Sequence, residues 1–139
     1  MLEFPANVPF VKHLGFTLHR LEHGESELHY TPLAEHLNSH GVTHGGASMT
    51  LLDVALSVAA RSDMPEHGIV TIEMKTMFMA PAKGPLVAKA RRMHRTRSIA
   101  FVEGGIYDES GTLCTTATGT FRYILRSKLL GTDTPIATD

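Results

Sequence analysis

A short stretch of the chain combines polar residues and a glycine pair in an order that suits acyl-transfer chemistry. The pattern is N-x5-H-G-G-x6-D, formed by Asn38, His44-Gly45-Gly46 and Asp53. The glycine pair stands at the start of an apolar run that predicts a helix, and the first turn of a helix has backbone N–H donors without internal partners. A carboxylate within the same run supplies a general base or a nucleophile. Attack on a carbonyl group needs both functions near the same carbon.

Each part of this pattern also has a simpler interpretation. A glycine pair before a helix is an ordinary tight turn, and an aspartate in a helix commonly lies on the polar side of an amphipathic surface. The second interpretation fits Asp53 poorly, because Met49, Leu52 and Leu56 around it are apolar. A carboxylate partly buried among such residues destabilises a fold unless it has partners, and proteins keep such groups mainly at functional sites. We therefore interpret Asp53 as a functional residue.

The spacing between Gly45 and Asp53 limits how they can act together. Eight helical residues span about 12 Å at ~1.5 Å per residue, so one small carbonyl cannot contact both from a single helix. Either the two residues serve different purposes, or a second copy of the chain supplies one of them. A two-fold dimer with antiparallel helices would bring Gly45 of one chain near Asp53 of the other, twice over. We expect a homodimer to be a condition of activity.

Length and composition indicate a single globular domain. The chain has 139 residues, of which 42% are hydrophobic and 19% charged, and this suits one domain with a hydrophobic core. The net charge of -1 gives no sign of a nucleic-acid or anionic-membrane partner. The lone cysteine, Cys114, is expected to pack in the core, and it cannot form an internal disulfide, which fits a reducing compartment. With neither a secretory signal nor a run of ~20 apolar residues, we expect a cytoplasmic protein without a membrane span.

The apolar and turn patterns predict an α+β domain over residues 1–126 and a flexible tail over residues 127–139. The clearest element is a helix over about residues 46–61, which is apolar on nearly every side and must be buried. Residues 5–14 are expected to form a short helical turn, and residues 32–45 a loop. Strands are expected over residues 15–23, 25–31, 69–79, 86–94, 98–108 and 112–123. The short links between the last four strands predict antiparallel hairpins, and a curved sheet around the helix accommodates all of these elements.

Two other clusters could bind ligands. His36, His40 and His44 recur every four residues, which on a helix would align three zinc ligands, but the intervening Asn and Gly residues indicate a loop, and we expect no metal site. Arg91, Arg92, His94, Arg95 and Arg97 form the densest basic patch. This patch is either a solvated strand end or a site for ligand phosphates, to which arginine side chains are well matched.

The chain resembles the hotdog-fold acyl-CoA thioesterases of the phenylacetate-pathway (PaaI-like) and 4-hydroxybenzoyl-CoA type. The resemblance covers about residues 9–124, and its specific part is the N-x5-H-G-G-x6-D pattern with its flanks in residues 37–46 and Thr50-Leu51-Leu52. Strand segments such as residues 71–75 belong to the resemblance but are not specific alone. The resemblance implies a curved antiparallel sheet around one helix, and homodimers whose sheets join and often pair into tetramers. It also implies hydrolysis of a small-to-medium aliphatic or aryl acyl-CoA to the free acid and CoA. Coenzyme A would enter as part of the substrate, with no separate cofactor or metal.

The resemblance assigns roles to individual residues. The Gly45 N–H would polarise the thioester carbonyl with the help of the helix dipole, and Asp53 of the partner subunit would act as general base or nucleophile. Asn38 would orient the carbonyl or the carboxylate, His44 would brace the loop and bond the thioester, and Thr71 would position water. The family more often has proline where this chain has Ser39, which we expect to change the loop stiffness more than the chemistry. The expected substrate-binding residues are Gly46, Leu37, Val42, Met49 and Phe78 near the acyl group, and Lys83, Arg95 and Arg97 near the CoA phosphates.

Two alternative functions stay open at this point. A hydroxyacyl-thioester hydratase or dehydratase of the same fold would use a histidine paired with an acid, in motifs that we do not find. A non-enzymatic acyl-CoA-binding module would not need the buried charge of Asp53, and sensors of this kind usually carry an additional DNA-binding segment.

Overall fold

One long helix organises the part of the chain that the computed structural model describes, residues 1–127. The elements are α1 (Pro9–Leu14), β1 (Thr17–Glu22), β2 (Glu25–Tyr30), a 3-10 turn (Ala34–His36), α2 (Gly45–Ala60), β3 (His67–Phe78), β4 (Leu86–Arg95), β5 (Ile99–Tyr107) and β6 (Leu113–Leu125). The six strands form one antiparallel sheet in the order β1-β2-β4-β5-β6-β3. Helix α2 contacts every strand, so the sheet curls around it. The predicted α+β class and hotdog fold are confirmed.

The tail predicted over residues 127–139 lies outside the described residues from 128 onward. Within residues 1–127, no helix has both the length and the apolar character needed to cross a membrane. Helix α2 begins one residue before the predicted start, at Gly45, and ends at Ala60.

The predicted hairpin between β3 and β4 is wrong. Strand β3 pairs with β6 at the far edge of the sheet, and β4 lies between β2 and β5. The linker after β3 passes the end of β6, where the Met79 and Ala80 N–H groups donate to the Cys114 carbonyl at 2.8 and 3.0 Å. A short link does require that its two strands run in opposite directions, and they do. It does not require that they be neighbours, because a strongly curved sheet brings the ends of non-adjacent strands close together.

The core is built between α2 and the inner face of the sheet. Leu56, fully buried at the centre of α2, lies over Gly104 of β5 and Gly119 of β6. A Cβ atom at these two glycines would stand 2.8 and 3.2 Å from the Leu56 methyl carbons. The absence of side chains at these two positions therefore lets the helix approach the sheet closely. Cys114 is fully buried in the same core, and burial is the main reason that the pKa of its thiol is raised.

Replacing Leu56 with Ala should lower the free energy of unfolding by about 2–5 kcal/mol, because it leaves a cavity between α2 and the two glycines. Urea denaturation of the purified variant measures the change. Leu125→Ala is the matched control, since Leu125 is 41% exposed at the end of β6 and its truncation leaves no enclosed cavity. Equal losses in the two variants would contradict the close packing of Leu56 over the two glycines.

Candidate active site

The start of α2 is held by the side chain of the preceding histidine. His44 is the N-cap residue, and its Nδ1 accepts the Gly46 N–H at 2.9 Å. Because Nδ1 accepts, the neutral ring carries its hydrogen on Nε2 and presents that side as a donor. The His44 carbonyl accepts the N–H groups of Ala47 and Ser48 at 2.9 and 3.2 Å. Three of the first N–H groups of the helix are therefore occupied within the chain.

The remaining N–H of this first turn belongs to Gly45. Among residues 1–127 it has no hydrogen-bond acceptor, so it stays available at the positive end of the helix dipole. The ring of Phe78 covers the glycine, and a Cβ at this position would lie 3.3 Å from two ring carbons. Gly45 therefore offers a backbone donor beneath an exposed aromatic ring, which is the type of group that can stabilise a carbonyl oxygen as it gains negative charge.

Asn38 holds the loop that leads to this donor. Its Oδ1 accepts the N–H groups of His40 and Val42 at 2.9 and 3.3 Å. Because Oδ1 accepts both bonds, the Nδ2 amide is left as the hydrogen-bond donor of this side chain. Asn38, Val42, Gly45 and Phe78 line one cleft of about 380 Å³. The structure thus brings together the predicted residues Asn38, Gly45, Val42 and Phe78.

Asp53 lies two turns further along α2 and opens into a different cleft. Its carboxylate is half-buried, and Thr71 Oγ1 donates to its Oδ1 at 2.8 Å. Strand β3 has a bulge at this point, where Ile72 is the extra residue between Thr71 and Glu73 in the pairing with β6. Bulges commonly redirect side chains beside active sites. The Thr71 hydroxyl therefore fixes the orientation of the carboxylate.

The clefts of Gly45 and Asp53 have no lining residue in common among residues 1–127. Of the predicted acyl-contact residues, Met49 lines the Asp53 cleft, and Leu37 is a partly exposed residue bridged to Thr43. A single chain thus presents a donor and a carboxylate in separate clefts, as the helical spacing of the sequence predicts.

Comparison with known proteins identifies the family. A sequence profile described as the thioesterase superfamily matches residues 40–115, which include the His44–Gly46 turn and Asp53. The chain belongs to the thioesterase superfamily. A relative from Saccharolobus solfataricus, whose name proposes an esterase, is 32% identical over 110 residues, covering 78% of this chain and 73% of its own. The chain is therefore a hydrolase of the thioesterase or esterase kind.

Solved structures agree with this assignment. A thioesterase family protein from Silicibacter pomeroyi superposes with a TM-score of 0.81 at 27% identity, over 85% of this chain and 90% of its own. A mutant of the phenylacetic acid degradation protein PaaI from Thermus thermophilus superposes with a TM-score of 0.76 at 27% identity, over 83% and 98% of the two chains. Both structures therefore share the fold of this chain, a curled sheet around a central helix.

The predicted phosphate contacts are divided between the two ends of α2. Lys83 lies in the β3–β4 linker near the start of α2, where the neighbouring Ala82 carbonyl accepts the Thr43 N–H. Arg95 lies near the other end, 3.0 Å from the Met64 sulfur and over the Tyr123 ring. Arg97 is exposed in the β4–β5 turn. One chain therefore does not bring Lys83 together with Arg95 and Arg97.

Two further arginines of the basic patch have structural partners. Arg91 pairs with Glu103. Arg92 donates from both terminal nitrogens to the Asp63 carboxylate, at 2.7 and 2.9 Å, and also to the Ala60 carbonyl at 2.9 Å. Arg92 thereby binds a carbonyl group at the C-terminal end of α2. The hydrogen bond from Arg92 to the Asp63 carboxylate is the main cause of the lowered pKa of Asp63.

This pair predicts a specific dependence of stability on pH. The folded pKa of Asp63 is below its ordinary value of 3.8, so the pair stabilises the fold above that pH and the stabilisation is lost as pH falls below it. The Asp63 side chain is 48% exposed, so solvent screening keeps the effect small. We expect the melting temperature of the wild type to exceed that of Asp63→Asn at neutral pH, and the difference to shrink in acid. A difference that stays constant or grows on acidification would contradict this assignment.

The three regularly spaced histidines are not aligned on a helix. His36 is buried, and its Nδ1 lies 2.8 Å from the Tyr30 hydroxyl and accepts the Leu33 N–H at 3.2 Å. His40 is exposed in the loop, and His44 caps α2. No cluster of three potential metal ligands occurs in residues 1–127.

Sequence reasoning missed most of the wall of the Asp53 cleft. The N-terminal segment supplies apolar side chains, and α2 and β3 supply the rest. The residues overlooked include Phe4, Val8, Phe10, Val11, Val58 and Arg61. The apolar character of residues 4–11 was visible in the sequence, but no local pattern indicated that this segment lies beside Asp53.

Proposed function

We propose that the protein hydrolyses acyl-CoA thioesters, of small-to-medium aliphatic or aryl acyl groups, to the free acid and CoA. The proposal is supported by two groups that each chain presents. One is the Gly45 N–H at the start of α2, which has no acceptor among residues 1–127, and the other is the Asp53 carboxylate, which Thr71 orients in an apolar cleft. The N–H can stabilise the oxyanion, and the carboxylate can act as general base or nucleophile, in hydrolysis of a thioester. The proposed chemistry needs a carboxylate, water and a backbone donor, and no metal or cofactor beyond the CoA of the substrate.

The active form in this proposal is a homodimer. Gly45 and Asp53 of one chain are about 12 Å apart along α2, at ~1.5 Å per residue, so two antiparallel copies of α2 are needed to bring such groups to one carbonyl. Strand β3 supports this arrangement, because it is an edge strand with the exposed apolar residues Ile72, Met77 and Phe78. A long apolar edge strand favours pairing with another strand. Pairing of β3 with its symmetry copy would join the two sheets, and such dimers could pair again into tetramers.

In the reaction, the thioester carbonyl oxygen accepts the Gly45 N–H. Asn38 lines the same cleft and offers its Nδ2 as a further donor, and His44, the residue before Gly45, offers its Nε2–H. Asp53 of the partner subunit then either removes a proton from water or attacks the carbonyl carbon directly. The tetrahedral intermediate expels the CoA sulfur, which takes up a proton, and the acid is released after water has added. Thr71 holds the carboxylate during these steps and can accept a hydrogen bond from the attacking water.

A panel of aliphatic and aryl acyl-CoAs, with release of the CoA thiol followed over time, tests the function. We expect turnover of at least one class. Binding across the panel without thiol release would contradict hydrolysis and favour a sensor, and addition of water to an enoyl-CoA would favour a hydratase.

Mixed dimers test the shared site. Chains carrying Asp53→Asn and chains carrying Gly45→Pro would each lose most of their activity alone, but a mixed dimer holds one site with both native groups. Native mass spectrometry establishes that mixed dimers form, and thiol release then measures recovery. Mixed dimers that form and recover no activity would contradict a site shared between subunits.

A further inference from the structure

The end of the Asp53 cleft holds a buried cation that has no counterion among residues 1–127. Arg61 follows the last residue of α2 and is 9% exposed. Its Nε is enclosed and has no hydrogen-bond acceptor, and none of the ion pairs within residues 1–127 includes it. Burial, and then the nearby charge of Arg126, lower the pKa of its guanidinium. A buried charge without a partner destabilises a fold, so such a group is expected to have an anionic ligand.

Arg61 and Asp53 lie on the same side of α2 and line the same cleft of about 380 Å³. They are eight residues apart, which corresponds to about 12 Å along the helix. The cleft wall between them is hydrocarbon, formed by Val54 and Val58 of α2 and by Met74 of β3. The cleft therefore has a reactive carboxylate near one end, a guanidinium at the other, and apolar walls between.

The positive character of this end is reinforced by a second arginine. Arg126 donates from Nη2 to the carbonyl of Pro5, another residue of the cleft wall, at 3.1 Å. Asp63, two residues after Arg61, does not neutralise Arg61 and Arg126, because both of its carboxylate oxygens bind Arg92. Charge and hydrogen-bond donors at this end therefore favour a carboxylate or a similar anion.

We propose that Arg61 binds an anionic group at the far end of the acyl chain, so that the preferred substrates are CoA thioesters of dicarboxylic acids. The inference rests on the proposed function, because it places the thioester at Asp53. The hydrocarbon of the acyl group then lies along the apolar wall, and its terminal carboxylate reaches Arg61. The CoA phosphates lie on the sulfur side of the thioester, away from the acyl chain, and an apolar wall does not suit them.

The test compares two substrates of equal chain length, octanoyl-CoA and suberoyl-CoA, which differ in a terminal methyl or carboxylate group. We expect the wild type to have the higher kcat/KM for suberoyl-CoA. Arg61→Met should lower the ratio of the two kcat/KM values by about tenfold to a hundredfold, as loss of a charge-assisted hydrogen bond implies, and Arg61→Lys should restore part of it. Arg122→Met, which removes an exposed arginine of β6, should leave the ratio unchanged.

Several outcomes would overturn the inference. One is a wild type without preference for suberoyl-CoA, and another is an equal fall of both kcat/KM values in Arg61→Met, which would identify a contact with CoA or a purely structural role. Titration calorimetry with suberate and octanoate gives a readout that does not depend on turnover. If no thioester is hydrolysed but suberate binding is stronger and depends on Arg61, the proposed function fails and the anion site stands. If suberate and octanoate bind alike, the anion site fails.

Discussion

Asp53→Asn is expected to lower kcat for acyl-CoA hydrolysis by about 10²–10⁴-fold, the usual contribution of a general base. Asparagine keeps an oxygen that can accept the Thr71 hydroxyl, whose bond to Asp53 is 2.8 Å long. The substitution therefore removes the charge and basicity and retains the shape of the side chain. Thiol release under saturating substrate measures kcat, and circular dichroism checks that the fold is retained.

Asp63→Asn is the matched control for this variant. Asp63 is also an aspartate near α2, but its carboxylate binds Arg92 outside the proposed site. We expect its turnover to match that of the wild type under conditions where both are folded. Full activity in Asp53→Asn, or an equal loss in the two variants, would refute the catalytic role of Asp53.

Gly45→Pro is expected to lower kcat by about 10²–10³-fold, because it deletes the one N–H that we assign to the thioester oxygen. The substitution is compatible with the backbone. Proline is favoured at the first helical position, and His44 before it has φ -58° and ψ 137°, which is the extended conformation that a residue before proline adopts. Steady-state thiol release measures the loss.

Gly45→Ala separates the donor from the added volume. It introduces a Cβ 3.3 Å from the Phe78 ring, as proline does, but it keeps the N–H. A shift of the Phe78 ring by a few tenths of an ångström is enough to accommodate the methyl group. We expect Gly45→Ala to retain most of the activity. A loss as large as that of Gly45→Pro would show that crowding against Phe78, and not the missing donor, causes the defect.

The sequence predicted the parts of the fold that depend on local patterns. The nearly continuous apolar character of residues 47–60 identifies α2 as a buried helix, and the single acid within it draws attention to Asp53. The rise per residue of a helix also predicts that Gly45 and Asp53 lie too far apart to contact one carbonyl group from the same chain. These predictions succeed because spacing along a helix has fixed dimensions.

The features that the sequence did not reveal depend on contacts between distant segments. The position of β3 beside β6 follows from how the sheet curls around α2, which no turn signal encodes. Arg61 looked like an ordinary helix end, and only the folded chain shows that it is buried and lines one cleft together with residues 4–11. The arginines of β4 were visible as a cluster, whereas the assignment of Arg92 to Asp63 required the folded chain.

The burial of the single cysteine has a practical consequence for these measurements. Cys114 is fully buried, and burial raises the pKa of its thiol, which favours the protonated, poorly nucleophilic form at neutral pH. A colorimetric disulfide reagent should therefore leave the native polypeptide unmodified and react with liberated coenzyme alone. Without substrate, the same reagent reacts with the Cys114 thiol of unfolded molecules. One reagent can therefore measure turnover in one assay and loss of the native state in another.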